Sequence, residues 1–231
     1  MDWNDATLSL LEKGEIKVIG QLSTASNASL YCEISNEGKS VNAIYKPIAG
    51  ERPLWDFPDG NLAKREVATY LTSKALSLNS VPPTILRSGP YGEGSVQLWI
   101  DDTDEITDEF SKTTPELRKI ALLDAVINNT DRKISHLLFK NAKVYGCDHG
   151  VTFHQDYKLR TVIWQFSGME LNENEREILR NFDLDLSAYL TDAEIQALKN
   201  RIEDLLTNGV FPAPPTDWPA SVPSPSDHPW W

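Results

Sequence analysis

The pattern of apolar and polar positions changes period several times along the first hundred residues. Leu8, Leu10 and Leu11 ahead of Gly14 predict a short helix over residues 2–12. Ile16, Val18 and Ile19 then begin a strand, which a run of small and polar residues (21–28) breaks before residues 30–34 resume strand character. Asn36-Glu37-Gly38-Lys39 is a turn signal, and residues 41–47 form a third strand that carries Lys46 near its end. Leu62, Ala63, Val67, Tyr70, Leu71 and Leu76 recur near helical spacing, with Asp59 or Asn61 available as the cap. Residues 81–86 and 95–100 read as two further strands, joined by a Gly-Pro-rich hairpin at 88–94. The acidic run 101–105 follows abruptly and reads as a hinge.

Beyond the hinge the period is helical. Pro115 opens a helix over residues 115–128, capped by Thr113 or Thr114, and the nearly all-apolar stretch 120–127 predicts that it is mostly buried. It delivers Asn129-Thr130-Asp131-Arg132. Residues 137–139 and 144–147, with a turn at Asn141, predict a short hairpin that brings Asp148 back beside the turn between Asp131 and His136. Two helices follow over about 172–182 and 191–207, the second with Thr191 as cap, Glu194 in the capping-box position and Gly209 as the stop. The tail is rich in Pro and holds Trp218, Trp230 and Trp231; it cannot sustain helix or sheet, and its aromatics predict that it packs along the body. Strands followed by helices predict an α+β fold in two lobes. An N-terminal antiparallel sheet lobe with one helix spans 1–100, a mainly helical C-terminal lobe spans 101–209, and the tail is 210–231.

Composition narrows the function classes. A net charge of −12 argues against broad nucleic-acid binding and against docking on anionic membrane by the bulk of the surface. No apolar run approaches the roughly 18 residues expected of a spanning helix. The acidic N-terminus lacks a signal-peptide core. Cys32 and Cys147 are the only cysteines, too few for a disulfide framework, so reduced thiols and a cytoplasmic location are expected.

The candidate chemistry centres on residues 128–150. Asp131 and His136 flank a polar turn, and Asp148 returns at the end of the hairpin. Phosphoryl transfer needs such a layout: one carboxylate facing the attacking hydroxyl, a second polar group within reach of a metal, and another carboxylate holding Mg²⁺ on the phosphates. Lys46 is either a solvated edge residue or a phosphate-binding Lys held by a carboxylate. Glu66 is either a surface acid or that partner, since it adjoins the apolar helix face at Val67 and Tyr70, where an acid wants a cation. The strand break at Ser23, Thr24, Ser26 and Asn27 is either an ordinary hairpin loop or a loop that folds over triphosphate. His149 and His154 stand at spacings from His136 that fit no standard zinc motif and read as structural.

Longer motifs stand at Tyr45-Lys46-Pro47, residues 55–60 followed by Arg65-Glu66, residues 96–99, residues 124–133 and residues 148–153. With them the chain resembles the phosphatidylinositol 3-/4-kinase-like superfamily of protein-kinase-like fold, and within it a group of small actinobacterial kinase-like proteins. The resemblance covers about residues 14–215. It implies a bilobal protein-kinase-like fold and an ATP-dependent phosphotransferase using ATP with Mg²⁺ or Mn²⁺. It implies that Lys46 contacts the phosphates and pairs with Glu66, that Ser23, Thr24, Ser26 and Asn27 belong to the phosphate loop, and that Gln97, Leu98, Trp99 and Ile100 line the adenine pocket. Asp131 would orient or deprotonate the acceptor hydroxyl, on a protein or a small molecule, and Asp148 would hold the metal. The superfamily has Asn where His136 stands, as a second metal contact. Hard Mg²⁺ prefers oxygen, so His136 is expected to contact phosphate, to hold a different metal, or to leave one metal site weak. Lys133 replaces the His common after Asp-Arg in the lipid kinases and sets this chain apart from them. The departures leave two other readings beside the active kinase: a nucleotide-binding pseudokinase serving as an interaction module, and a nucleotidyl (AMP) transferase.

Overall fold

The computed structural model describes residues 5–22, 27–52, 54–57, 61–104 and 112–215. The first lobe is built on a five-stranded antiparallel sheet in the order β1-β2-β3-β5-β4. Its strands are β1 (Glu15–Gln21), β2 (Leu30–Asn36), β3 (Lys39–Pro47), β4 (Thr84–Gly89) and β5 (Gly92–Leu98). Glu37 and Gly38, with φ of 49° and 76°, turn β2 into β3, a geometry that matches the natural twist of the two strands. The hairpin expected at 88–94 is much tighter than its glycines suggested. β4 and β5 stay paired out to Gly89 opposite Gly92, and Gly94 lies inside the ladder. It must be glycine there, because a Cβ would stand 2.3 Å from the Lys46 carbonyl oxygen.

Strand alternation gives the sheet two faces. On the outer one Cys32, Ile34, Ala43, Tyr45 and Val96 form a core with Leu11 of helix α1 (Asp5–Lys13). The inner one carries Tyr31, Ile44, Lys46 and Gln97, as the pairings Tyr31 with Ile44 and Ile44 with Gln97 require. Helix α2 (Leu62–Ala75) covers part of this inner face. Of the two expected caps of α2, the structure describes Asn61 alone. Asn61 sits at the cap position in the left-handed region and makes no side-chain cap, and Asp59 lies outside the described residues. Glu51 reaches in instead and accepts from the backbone N–H groups of Leu62 (3.1 Å) and Ala63 (2.8 Å). A carboxylate at this end of a helix satisfies orphan donors and complements the dipole, so the loop between β3 and α2 is fixed at its root.

The second lobe holds α3 (Pro115–Ile127), the hairpin of β6 (Leu137–Lys140) and β7 (Lys143–Gly146), α4 (Glu173–Arg180) and α5 (Asp192–Asn208). Thr114, Asn172 and Thr191 cap the three helices through their side chains, the last two in complete capping boxes. α3 is buried from Ile120 to Ile127 and packs with Leu198, Ile202, Leu205 and Phe211 in a core separate from that of the sheet. Tyr70, Leu76 and Val81 belong to this second core, so α2 stands between the lobes and touches both. Two apolar cores joined by one helix are the physical basis of the bilobal α+β architecture. The acidic run does more than meet solvent: Asp104 donates its N–H to Phe139 O (2.7 Å), and its carboxylate accepts from Asn141 N–H (3.1 Å), which ties the connection to the β6–β7 hairpin. The expectation that the tail packs on the body concerns residues of which 216–231 lie outside those described.

Candidate active site between the lobes

Three elements deliver one charged cluster. β3 presents Lys46 on the inner face, α2 presents Glu66, and the segment after β7 presents Asp148. Lys46 Nζ lies 2.5 Å from Glu66 Oε1 and 2.7 Å from Asp148 Oδ1. Glu66 is buried, and its second oxygen accepts the backbone N–H of His149 at 3.0 Å. Burial opposes the charge on Lys46, but Asp148 and Glu66 more than offset it and hold the ammonium above its ordinary pKa. Lys46, against burial and helped by His136, holds the Asp148 carboxyl well below the usual carboxylate range. Asp148 adopts φ of 57°, a left-handed conformation that Asp tolerates better than most residues. Its side chain is still 55% exposed.

The loop carrying Asp131 is held from beneath. Asp124 on α3 is fully buried and accepts from Arg132 Nη2 (2.8 Å) and Nε (3.1 Å), Asn129 Nδ2 (2.9 Å) and Thr161 Oγ1 (3.0 Å). Arg132, also fully buried, donates through Nη1 to Cys147 O at 3.0 Å. Main-chain bonds from Arg132 to Arg160 O (3.1 Å) and from Arg160 to Asn129 O (2.8 Å) stitch the segment after Asp148 to the same loop. Asp131 receives its orientation from Asn129, whose Oδ1 accepts the Asp131 N–H (3.0 Å), and its carboxylate meets Lys133 Nζ at 3.1 Å. His136 stands beside Asp148. Its Nε2 is 3.4 Å from Asp148 Oδ2, and Asp131 is near enough to act on its charge. Burial lowers the His136 pKa, with Asp148 opposing. The ion pair recorded for Asp131 is with Lys133, and those recorded for Lys46 are with Glu66 and Asp148.

Next to Lys46 the inner sheet face is apolar. The Trp99 and Tyr31 rings meet edge to face, 5.3 Å between centroids, and Ile44 pairs with Tyr31 across the strands. Ile100 is buried. The expected pocket residues Leu98 and Trp99 have their N–H groups on Pro83 O and Asn42 O (2.9 Å each), and Gln97 Nε2 donates to Thr84 Oγ1 (2.8 Å). Of the strand-break residues, Ser23, Thr24 and Ser26 lie outside those described, while Asn27 Oδ1 accepts the Arg52 N–H at 2.9 Å.

No family model matches the chain. It is 36% identical over 270 residues to protein Rv2133c of Mycobacterium tuberculosis, an alignment that covers 95% of this chain and 97% of that protein. The chain belongs to the Rv2133c family. It is also 26% identical over 200 residues to phosphatidylinositol 4-kinase gamma 4 of Oryza sativa subsp. japonica; 70% of this chain is covered, but the match spans only 35% of that longer protein. Among solved structures, the proinflammatory kinase CtkA of Helicobacter pylori is similar at a TM-score of 0.46 and 12% identity, over 87% of this chain and 94% of that one. The Rio2 kinase of Chaetomium thermophilum, solved as an ADP/Mg²⁺-phosphoaspartate complex, is similar at 0.42 and 14% identity, over 81% of this chain and 71% of that one. With Lys46 on the third strand of an antiparallel sheet, its Glu66 partner on the helix between the lobes and a mainly helical second lobe, the fold of this Rv2133c-family chain is a bilobal α+β fold.

The donors fit a hard cation shared with phosphate. Among the described residues no group of three or more His, Cys, Asp or Glu side chains converges as a metal cage. Mg²⁺ does not need one, because it is commonly held by one or two carboxylates plus substrate phosphates. Asp148 supplies such a carboxylate and His136 Nε2 stands beside it. Sequence reasoning missed Tyr31 and Ile44, whose place follows from alternation counted back from Lys46. It also missed the carboxylate of Asp124, which read as one more position in an apolar helix. A lone acid inside an eight-residue apolar stretch, followed eight residues later by an Arg, was the available signal.

Proposed function

We propose that the protein is an ATP-dependent phosphotransferase that moves the γ-phosphate to a hydroxyl of a protein or small molecule, and that it is one of the small actinobacterial kinase-like proteins acting in the cytoplasm. The observation that carries this reading is the double pairing of Lys46 with Glu66 and Asp148 across the two lobes. In it Lys46 binds the phosphates, and Tyr31, Ile44, Gln97, Leu98, Trp99 and Ile100 receive the adenine. Ser23, Thr24, Ser26 and Asn27 cover the phosphates. Asp148 holds the divalent ion, with His136 as its neighbour on metal or phosphate. The ion, when bound, neutralises charge developing on the phosphates. Asp131 accepts the proton of the attacking hydroxyl while Lys133 fixes its carboxylate. The positions of Lys46 on a buried carboxylate and of Asp131 on a rigid, buried loop support preorganisation, which supplies most of catalysis in such reactions.

His136 at the usual Asn position favours a second reading, a nucleotide-binding pseudokinase, and an AMP transferase is the third. Incubation with ATP and Mg²⁺ or Mn²⁺, followed by intact-mass analysis and thermal-shift titration, separates them. A phosphate adduct or ATP turnover supports the kinase. Stabilisation by ATP without turnover supports the pseudokinase, an AMP adduct the nucleotidyl transferase, and no response to any nucleotide removes all three.

A further inference from the structure

The imidazole of His149 is fully buried between two charged groups that the proposed reaction needs in fixed places. Its Nε2 lies 2.7 Å from Arg132 Nη2. A guanidinium can only donate, so Nε2 accepts, and the ring proton sits on Nδ1. That Nδ1 has no hydrogen-bond partner, yet it stands 4.0 Å from Glu66 Oε2, the same oxygen that accepts the His149 backbone N–H. The main-chain N–H of His149 thus bonds that carboxylate oxygen, while the ring is anchored on Arg132. The rest of Arg132 is committed to Asp124, Cys147 O and His136 O. Room for the contact is left by Gly146, where a Cβ would stand 2.9 Å from His149 Nε2 and 3.1 Å from Arg132 Nη2. Gly146 has no positive φ to explain its identity, so this close approach accounts for it.

We propose that His149, as its Nδ1–H tautomer, is a positioning residue that couples Arg132 of the Asp131 loop to Glu66 and so holds the Lys46–Glu66 pair in register with Asp148. It links the lobes through polar contacts where a purely apolar side chain would fill the space but leave the Arg132 N–H without an acceptor. The inference rests on the phosphotransferase reading for its catalytic consequence, but not for its geometry.

The test has two arms. In the first, ¹⁵N NMR of imidazole-labelled full-length protein, with the His149→Gln variant to assign the signal, reads the tautomer without nucleotide. The proton on Nδ1 is expected; a proton on Nε2 overturns the proposal whatever the protein's activity. In the second, His149→Phe, Glu66→Gln and the double variant are compared in ATP turnover. His149→Phe is expected to lower kcat about 10- to 100-fold, the range seen when orienting partners are removed, with KM for ATP unchanged, and the double variant to be no worse than Glu66→Gln. His149→Gln, which keeps an acceptor for Arg132, should recover part of the loss, and Gly146→Ala should reproduce it. Additive losses, or KM and kcat that move together in proportion to lost folding, overturn the positioning role. If wild type turns over no ATP, the function fails, while the NMR arm and the same cycle read by denaturation midpoint still decide the coupling.

Discussion

Lys46 Nζ and Asp148 Oδ1, 102 residues apart in the chain, lie 2.7 Å apart. This contact ties the sheet lobe to the segment after β7, and Glu66 closes it from α2. The consequences of that triangle are energetic as well as functional.

Removing its cation leaves Glu66 buried with only the His149 N–H as partner. Breaking a fully buried pair costs about 3–5 kcal/mol, and partial exposure of Lys46 reduces this, so Lys46→Met should destabilise by about 1–3 kcal/mol in urea denaturation. Adding Glu66→Gln should recover most of that loss, since no uncompensated charge then remains. Both variants should lose the thermal shift with ATP.

Acid should weaken the same triangle. The folded Asp148 carboxyl titrates below its ordinary value of 3.8, chiefly because of Lys46. A depressed carboxyl contributes stability that is complete above its unfolded pKa and is lost as pH falls below it. Wild type should therefore lose stability below about pH 4, and the Asp148→Asn profile should be flatter there. Exposure of this side chain means that solvent screens the contribution, so the difference between the two profiles should be modest. Denaturation midpoints at pH 3 to 6 measure it.

The buried Asp124–Arg132 pair makes a larger demand. Asp124→Ala strips the carboxylate from a guanidinium with no exposure and from Asn129 and Thr161 as well. A loss of about 3–5 kcal/mol is expected, with Asp124→Asn milder because an acceptor remains. Hydrogen exchange should show loosening confined to residues 129–132 and 160–161 in the milder variant.

Much of this fold was legible in the chain. Long-period apolar runs marked α2, α3 and α5, and Thr191 with Glu194 marked a helix start that the structure shows as a full capping box. The boundaries that failed were those set by distant residues. Glu51, not a neighbour of the helix, caps α2, and the glycines at 89 and 94 lie in a ladder because Tyr45 and Lys46 press against them, while Gly92 takes a φ of 95°. Lys46, Glu66 and Asp148 could be named from motifs, but the role of Asp124 could not, since a buried acid is recognised by its partners and those come from three separate segments. His149 was read as structural; its ring contact with Arg132 and its main-chain bond to Glu66 give that role a specific geometry.

Neither thiol should react in the native state. Burial pushes Cys147 up to about 12 and Cys32 up to about 11, leaving almost no thiolate at neutral pH. Iodoacetamide at pH 7.5 should leave both unmodified by intact mass, and denaturant should expose both.

His136 offers a test of metal choice. His136→Asn supplies an oxygen donor beside Asp148, so turnover with Mg²⁺ should rise relative to turnover with Mn²⁺, while His136→Ala should lower both. Unchanged metal preference in His136→Asn would place His136 on phosphate instead.

The most direct measurement is a crystal structure with a non-hydrolysable ATP analogue and Mn²⁺, phased to locate the ion by its anomalous signal. The account predicts the ion on Asp148, the phosphates on Lys46 and the adenine against Tyr31, Ile44 and Trp99, with Asp131 facing the γ-phosphate. An analogue bound elsewhere, or no nucleotide at saturating concentration while Lys46 stays locked on Asp148, would contradict it.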